Sequence, residues 1–257
     1  MTVSRNALAT ADFANASSVA TATNNNLTAL AGSNVAVFAL LSLGASGTAP
    51  TAFAATCNSV AMTLVGSFWD GTDLGGAIFA KAIGTLGSSA VQNVTAIWTN
   101  AHTPYLMTIA YNGVDQTTPG QNFTNSARIT SASASLGITS AVGDMAVLVG
   151  QANIVTWSSW TFGTDIKNDT SGNQNMFMGD IAGASTATIT AALSGSGVWA
   201  VVGCDIKAAA AGGPALPVGD WTMLVKDYER DDRSELYLPK RKLWLPGKSF
   251  PEASVRA

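Results

Sequence analysis

The residues able to carry out acid–base, nucleophilic or metal chemistry are few and widely spaced in this 257-residue chain. His102 is the only histidine, and it lies in the segment TNAHTPY between two apolar runs. Nucleophilic catalysis of the Ser-His-Asp or Cys-His kind needs a histidine base beside the nucleophile, so His102 is the one candidate for that role. A single histidine also excludes a metal site built from several histidines. We interpret His102 as a solvated or hydrogen-bonded loop residue. Two cysteines, Cys57 and Cys204, are too few for a disulfide framework or a structural zinc site.

Asp70 and Asp73, in the segment FWDGTDLGG, are the closest pair of carboxylates in the body of the chain. Two carboxylates facing across a cleft would suit glycoside hydrolysis, and with backbone carbonyls they would suit a calcium ion. The favoured interpretation is a Gly-rich hairpin turn capped by Asp. The sequence contains no phosphate loop, zinc pattern or dinucleotide fingerprint. We therefore predict no enzymatic activity and no cofactor or metal.

Seven tryptophans raise the question of a sugar-binding platform, because exposed aromatic rings stack on sugar faces. The candidate glycan-binding residues are Trp69, Trp157 and Trp160. Trp157 and Trp160 are three residues apart, so a regular strand would place them on opposite faces and expose at most one of them. We expect most of the tryptophans to lie in the core or in a subunit interface.

Charged residues are only 11% of the chain, less than half the usual share. Residues 1–213 contain no glutamate and five of the 13 Lys and Arg residues, whereas the last 44 residues contain eight. A nearly neutral body does not attract nucleic acid, and Lys240-Arg241-Lys242 is too short a basic cluster to change that expectation. The N-terminus lacks the apolar core of a secretory signal, and the longest apolar run, Val35–Leu43, is less than half a membrane span. We expect a protein without a membrane or nucleic-acid partner.

Short apolar or alternating runs recur along the body, separated by Gly, Asn, Asp, Ser and Pro. The spacing of these runs, with turn residues between them, is typical of an all-β sandwich. Near the end of the body Val198, Ala200, Val202, Cys204 and Ile206 alternate with more polar positions, so Cys204 is expected to be a buried structural thiol. No segment shows a sustained helical period. The predicted fold is an antiparallel two-sheet sandwich of jelly-roll or immunoglobulin-like type with an extended C-terminal arm. The runs are 35–43, 59–68, 77–83, 91–99, 105–111, 145–149, 156–162, 187–193 and 198–206.

The segment YNGVDQTTP, from Tyr111 to Pro119, ends one of these runs. Gly113 suits a tight bend, and Asp115 can hydrogen-bond a neighbouring backbone amide in an Asx turn, so the segment is interpreted as a structural corner. This motif resembles one in a sandwich domain of tailed-phage virion proteins and related bacterial surface proteins. Residues 57–67, 140–150 and 197–209 also resemble strands of that family, over about residues 30–210. The resemblance implies a β-sandwich in a virion, assembled in the cytoplasm of a bacterial host.

The chain is divided by composition into four parts. Residues 1–34 are a polar lead-in or edge strand, 35–207 the sandwich, 208–220 a linker, and 221–257 a docking arm. The arm contains two Leu-aromatic-Leu-Pro units, in which each proline forbids a helix and favours an extended chain. Such an apolar extended segment is suited to binding a neighbouring surface by strand addition or by filling pockets; the alternative is that it folds back on its own sandwich. The predicted partner-binding residues are Leu236, Tyr237, Leu238, Lys240, Arg241, Lys242, Leu243, Trp244 and Leu245.

These features favour a structural virion protein, a head decoration or cement protein that attaches through its C-terminal arm. The expected partners are the major capsid protein or a tail component, together with further copies of the same chain. The alternative is a carbohydrate-binding adhesin module of a tail fibre or particle surface, with a host glycan as its ligand.

Overall fold

The computed structural model describes residues 1–8, 19–44, 47–153, 155–160, 164–169, 174–210, 244–245 and 248–249. The chain divides into two compact units, Met1–Ala210 and Ala211–Ala257. Every regular element among the described residues is a β-strand, and all of the strand pairs are antiparallel. The prediction of an all-β protein with two antiparallel sheets is confirmed.

The first unit consists of two halves, each of which builds one sheet. The first half contains β1 (Ser4–Leu8), β2 (Val19–Ala29), β3 (Gly32–Gly44), β4 (Ala54–Cys57), β5 (Val60–Ala61), β6 (Thr63–Trp69), β7 (Leu74–Leu86) and β8 (Ala90–Asn112). The second half contains β9 (Gly120–Thr139), β10 (Met145–Asn153), β11 (Trp157–Trp160), β12 (Thr164–Asp169), β13 (Gln174–Ala182) and β14 (Thr186–Ile206).

The two halves have the same strand order. The first sheet runs β5-β4-β8-β3-β7-β6, with β1 and β2 also paired to β8. The second runs β11-β14-β10-β13-β12, with β9 also paired to β14. When β1 and β5 are left out, the first arrangement is converted into the second by replacing β2, β3, β4, β6, β7 and β8 with β9, β10, β11, β12, β13 and β14. The body is therefore an internal structural duplication, which the sequence does not reveal as a repeat.

The long strand of each half, β8 or β14, belongs to two layers. The first part of β8 pairs with β2 and β4, and its last part pairs with β3 and β1. In the second half, the register between β14 and β9 is interrupted between Ala192 and Gly197. Beyond that break β14 packs over the part of β9 that pairs with its own beginning. A Cβ on Gly203 would lie 2.6 Å from Cδ1 of Ile138, and Ile138 pairs with Ala187 before the break. The sequence predicted separate strands at these two places, whereas the structure has one continuous strand in each.

His102 lies within the part of β8 that was predicted to be a loop. Its side chain is buried, and Val19 of β2 is its partner in the strand pairing. The prediction that His102 lies in a loop was wrong, and so was the solvated alternative. Pro104 and the neighbouring Thr residues are typical of loops, but here the backbone continues as a strand.

Three apolar clusters hold the unit together. The first lies between β3 and β7 and the layer formed by β2, β4 and the first part of β8. The second lies between the two halves, where Phe38 and Tyr111 meet Val149 and Val202. The third is enclosed by the second half and includes Trp157 and Trp199. Both faces of β3 are buried, one in each of the first two clusters, which explains why Val35–Leu43 is a continuous apolar run rather than an alternating one.

A buried ionic contact joins the two halves beside the central cluster. Arg5 of β1 donates two hydrogen bonds to the Asp180 carboxylate of β13, at 2.8 and 2.7 Å. Tyr111 of β8 donates a third, at 2.9 Å. The side chain of Asp180 is 5% exposed, so its charge depends on these donors. Burial, followed by the nearby Asp180 charge, raises the pKa of Tyr111, which keeps the phenol protonated as a donor.

Removing the Arg5 guanidinium is therefore expected to destabilise the body. The substitution Arg5→Ala leaves a buried carboxylate whose remaining side-chain donor, among the described residues, is the Tyr111 phenol, and the loss should be about 3 kcal/mol in the free energy of unfolding. Urea unfolding of the full chain measures it. Lys207→Ala is the matched control, because it removes the ion pair between Lys207 and Asp115. The Lys207 side chain is 40% exposed. Loss of such a surface ion pair should lower the free energy of unfolding by at most about 1 kcal/mol. Equal losses for the two variants would contradict the structural role of Arg5.

Candidate functional site

The Asp70–Asp73 loop is a capped turn. Asp70 Oδ1 accepts backbone N–H hydrogen bonds from Thr72, Asp73 and Leu74, at 2.7, 2.9 and 3.1 Å. Burial alone would raise the pKa of Asp70, but the N–H donors and the Arg128 guanidinium outweigh it and lower the pKa. The interpretation of this loop as an Asp-capped hairpin turn is confirmed.

Both carboxylates of this loop are neutralised by the second half of the body. Arg128 of β9 pairs with Asp70 and with Asp73, and Asn153 of β10 donates to Asp73 at 2.7 Å. Within the described residues, no group of three or more His, Cys, Asp or Glu side chains is placed to hold a metal ion. The contact is thus a second ionic link between the halves. As in the Arg5–Asp180 contact, the arginine comes from the first strand of one half and the carboxylate from the opposite half.

Trp69 and His102 form an aromatic pair at the edge of the first apolar cluster. Their ring centroids are 5.0 Å apart with an interplanar angle of 69°, and the Trp69 side chain is half-buried. Burial lowers the pKa of His102 below its usual value, so the imidazole is neutral at pH 7. The Trp69 indole is half-buried against the first apolar cluster, so only part of its surface is available to a ligand.

Trp157 is a core residue. It is 3% exposed, its indole N–H donates to the carbonyl of Asn175 at 3.1 Å, and its ring lies 4.1 Å from that of Phe177. The strand pairing shifts between Trp157 and Ser159, so the simple alternation expected for Trp157 and Trp160 is interrupted. The side chain of Trp160 lies outside the described residues. The structure therefore does not bring Trp69 and Trp157 together on one surface.

The segment from Tyr111 to Pro119 connects the two halves at a structural corner, as the sequence predicted. Gly113 has a positive φ of 71°, and the Asp115 carboxylate accepts N–H hydrogen bonds from Thr117 and Thr118 at 2.9 and 2.8 Å. Val114 forms an isolated antiparallel bridge with Ala208. The corner therefore ties the link between the halves to the end of the last strand.

Gln116 is a member of this corner that the sequence did not single out. Its amide donates to the carbonyl of Val114 at 2.9 Å and accepts from the N–H of Gly84 at 2.8 Å. These contacts attach the corner to β7. A lone glutamine in a turn carries no periodic signal, so only the folded structure shows its role.

Gly113→Ala should destabilise the body through this corner. A Cβ there would lie 2.5 Å from the carbonyl oxygen of Thr2, and the positive φ disfavours any L side chain. The expected loss is about 2 kcal/mol in the free energy of unfolding, measured by urea titration. Gly87→Ala is the control, because nothing lies within 4 Å of the place that its Cβ would take; a similar loss there would argue against the strain at Gly113.

Asp205 is the centre of a buried polar cluster on β14. Ser140 donates to its carboxyl at 2.6 Å and Gln121 at 2.8 Å. Burial raises the pKa of Asp205, and the neighbouring Asp144 carboxyl adds to this effect. The hydrogen bonds from Ser140 and Gln121 oppose it without reversing it. Asp144 in turn accepts the N–H of Ala208 at 2.7 Å. The cluster fastens the end of β14 to the β9–β10 turn.

The raised pKa of Asp205 gives a testable pH dependence. The folded state keeps this proton to a higher pH than the unfolded chain, so the Asp205 contribution to stability falls as pH rises from about 4 through the folded pKa. Asp205→Asn should remove this fall, so that the free energy of unfolding of the variant relative to the wild type increases over that range. Urea unfolding at a series of pH values measures the difference.

Asp115→Asn provides a control of opposite sign. The N–H hydrogen bond from Thr118, more than the cost of burial, lowers the pKa of Asp115, so its carboxylate stabilises the fold above the unfolded pKa. The relative stability of Asp115→Asn should decrease as pH rises. A parallel response of the two variants would contradict the assignment for Asp205.

The two cysteines are both free and buried, one in each half. Cys57 contacts the side-chain oxygen of Gln92 at 3.4 Å, and Cys204 lies in the central cluster. Burial raises the pKa of both thiols. The prediction that Cys204 is a buried structural thiol is confirmed.

The C-terminal unit contains one described feature. The strands β15 (Trp244–Leu245) and β16 (Lys248–Ser249) pair antiparallel, with Trp244 opposite Ser249 and Leu245 opposite Lys248. The other predicted docking residues, from Leu236 to Leu243, and the predicted linker from residue 211 onward lie outside the described residues. The extended backbone at Trp244 and Leu245 agrees with the conformation expected beside proline.

Comparison with protein families, with curated proteins and with solved structures gave no match. Among the described residues, none belongs to a helix with the length and apolar character needed to cross a membrane.

Proposed function

We propose that this protein is a non-enzymatic structural component of a tailed-phage virion, a head decoration or cement protein that attaches to the particle through its C-terminal arm. The body would be the displayed domain, and the paired Leu-aromatic-Leu-Pro units of residues 236–246 would bind the major capsid protein or a tail component. Attachment would be non-covalent, by burial of Leu, Tyr and Trp and by backbone hydrogen bonds repeated over a symmetric shell.

The observation that carries the proposal is the internal use of the charged side chains of the body. Arg5 pairs with Asp180, Arg128 with Asp70 and Asp73, and Lys207 with Asp115. The one histidine is buried and neutral. These charged side chains bind each other across the body and are not arranged around a reacting centre. This arrangement supports a structural protein rather than an enzyme.

The finer assignment of the fold stays a prediction. In the first half the chain passes repeatedly between the β3–β7 layer and the β2–β4 layer. Immunoglobulin-type sandwiches also distribute consecutive strands over two layers. This feature supports an immunoglobulin-like or jelly-roll relationship within each half.

The alternative function, binding of a host glycan, receives less support. Trp157 is a core residue, and Trp69 is packed edge-on against His102. Trp157 therefore offers no ring face to a sugar, and Trp69 offers only part of its surface. The structural-protein proposal is therefore preferred.

Deletion of Pro214–Ala257 tests the proposed attachment. The truncated chain should still fold, because Met1–Ala210 is a compact unit with its own internal contacts. It should no longer bind particles. Co-sedimentation of the purified protein with particles of the phage that encodes it measures binding, and far-UV circular dichroism checks the fold. Electron microscopy of labelled protein on the particle locates it on the head or the tail.

Two double variants distinguish a specific effect of the arm's leucines from the effect of removing 44 residues. Leu238→Ser with Leu245→Ser should reduce particle binding at least tenfold, whereas Ser234→Ala with Ser254→Ala should leave it unchanged. If the truncated protein decorates particles normally, the attachment proposal is wrong. If glycan binding is found and is lost in Trp69→Ala, the adhesin function replaces it.

A further inference from the structure

Two carboxyl groups meet inside the second half, where β14 ends. Asp205 of β14 is fully buried, and Asp144, in the turn between β9 and β10, is 8% exposed. The two side chains form a hydrogen bond with each other. A carboxylate can only accept hydrogen bonds, so one of the two groups must carry a proton and donate it. We call Asp144 and Asp205 the carboxyl pair, because the proton belongs to both groups together.

The side chains that surround the carboxyl pair bring no positive charge to it. Gln121 of β9 and Ser140, which follows β9, donate neutral hydrogen bonds to Asp205, and β10 places Ala146 opposite it. The neighbouring thiol of Cys204 lies in the central cluster, and burial raises its pKa, so it stays protonated. In the described part of the chain, no Lys, Arg or His side chain forms an ion pair with either carboxyl group.

The charged groups of the adjacent segments are bound to other partners. Lys207, just beyond β14, pairs with Asp115 at 3.2 Å. The Met1 ammonium donates to the carbonyl of Ala209 at 3.2 Å. The charged residues of β1 and β13 bind each other. Loss of the shared proton would therefore leave two carboxylates in contact without a neighbouring cation to compensate them.

Asp144 also holds the segment by which the chain leaves the body. Its Oδ1 accepts the N–H of Ala208 at 2.7 Å, and the first compact unit ends two residues later, at Ala210. The main chain of Asp144 is fixed as well, since its N–H donates to the carbonyl of Ala141 at 3.0 Å and its carbonyl accepts the N–H of Gly183 at 2.9 Å. The charge state of the carboxyl pair thus bears directly on Ala208.

Deprotonation acts unequally on the two members of the carboxyl pair. Asp205 lies in a strand that is paired on both sides, and its carboxyl keeps two side-chain donors. Asp144 lies in a turn and has the only exposed surface of the pair. Like charges in contact in a low-dielectric interior repel each other strongly. The Asp144 side chain is therefore the one that turns towards solvent, and Ala208 then loses its carboxylate acceptor.

We infer that the carboxyl pair is a pH-sensitive switch at the exit of the chain from the body. With the shared proton present, Asp144 stays beside Asp205 and holds Ala208. When the proton leaves to solvent, Asp144 moves away and residues 207–210 loosen. The main-chain contacts of this segment with residues 113–115 remain, so the change is local. The switch acts on the last residues before the C-terminal unit, whatever that unit binds.

The direction of the switch follows from the number of bound protons. The closed form binds one proton more than the open form, so lower pH favours the closed form and higher pH favours the open form. Burial and the Asp144 carboxyl raise the pKa of Asp205. Opening is therefore expected above about pH 4, where an isolated aspartate ionises.

Amide hydrogen exchange of the full chain, followed by NMR at a series of pH values, tests the switch. The protection factor, which is corrected for the intrinsic pH dependence of exchange, should fall about tenfold or more for the Ala208 N–H between about pH 5 and about pH 8. The N–H of Val149, in the doubly paired strand β10, should keep its protection and so show that the body stays folded.

Asp205→Asn should keep Ala208 protected at every pH, because its amide donates to Asp144 without a titrating proton. If this variant does not fold, Asp144→Asn serves as the second variant, since its amide accepts from Ala208 and donates to Asp205. Asp115→Asn is the matched control. The N–H hydrogen bond from Thr118 lowers the pKa of Asp115, so its carboxylate does not titrate in this range and the control should show the fall of the wild type.

Constant protection of Ala208 in the wild type would overturn the inference. A fall that persists in Asp205→Asn and Asp144→Asn would also overturn it, since another group would then control the segment. Loss of protection at Val149 together with Ala208 would indicate global unfolding and contradict a local switch. Absence of the fall in Asp115→Asn would assign the pH dependence to the ion pair with Lys207 instead of the carboxyl pair.

Discussion

The structure depends on two long strands, β8 and β14, each of which pairs with neighbours in two different layers. A strand that passes from one layer to the next fixes how far apart the layers lie and which residues face the space between them. The apolar clusters on either side of the central sheets follow from this arrangement. Beyond the bend of β14, the missing side chain of Gly203 lets the backbone approach Ile138 and Leu136 closely.

Several of the few charged residues of the body form ion pairs that link its parts. Arg5 and Arg128 each reach carboxylates of the opposite half, and Lys207 reaches the corner at Asp115. The Asp180 carboxylate is almost completely buried, and such a group is tolerated only with charge-assisted donors. The strands β2, β4 and β8, in contrast, come from segments that contain no Lys, Arg, Asp or Glu.

Much of the strand content could be predicted, since all nine apolar runs overlap strands of the structure. Among the strands that the runs missed, β2 and β9 have outward positions filled mostly by Thr, Ser, Asn or Gly and inward positions often filled by Ala. The hydropathy contrast between their two faces is therefore small. In β9 the alternation of Ala134, Leu136 and Ile138 with Ser133, Ser135 and Gly137 was present in the sequence but weak. The corner at Gly113 and Asp115 was predictable because turn chemistry is local.

By itself the sequence determined the β class, the capped turn at Asp70, the corner at Gly113 and the buried position of Cys204, because each depends on neighbours close in the chain. The tertiary structure alone decided that residues 90–112 and 186–206 are single bent strands, that the two halves repeat one topology, and that Trp157 is buried. It also decided which carboxylate each arginine meets. The physical reason is that these features are contacts between residues up to 175 positions apart, as for Arg5 and Asp180, and local patterns carry no information about such pairs.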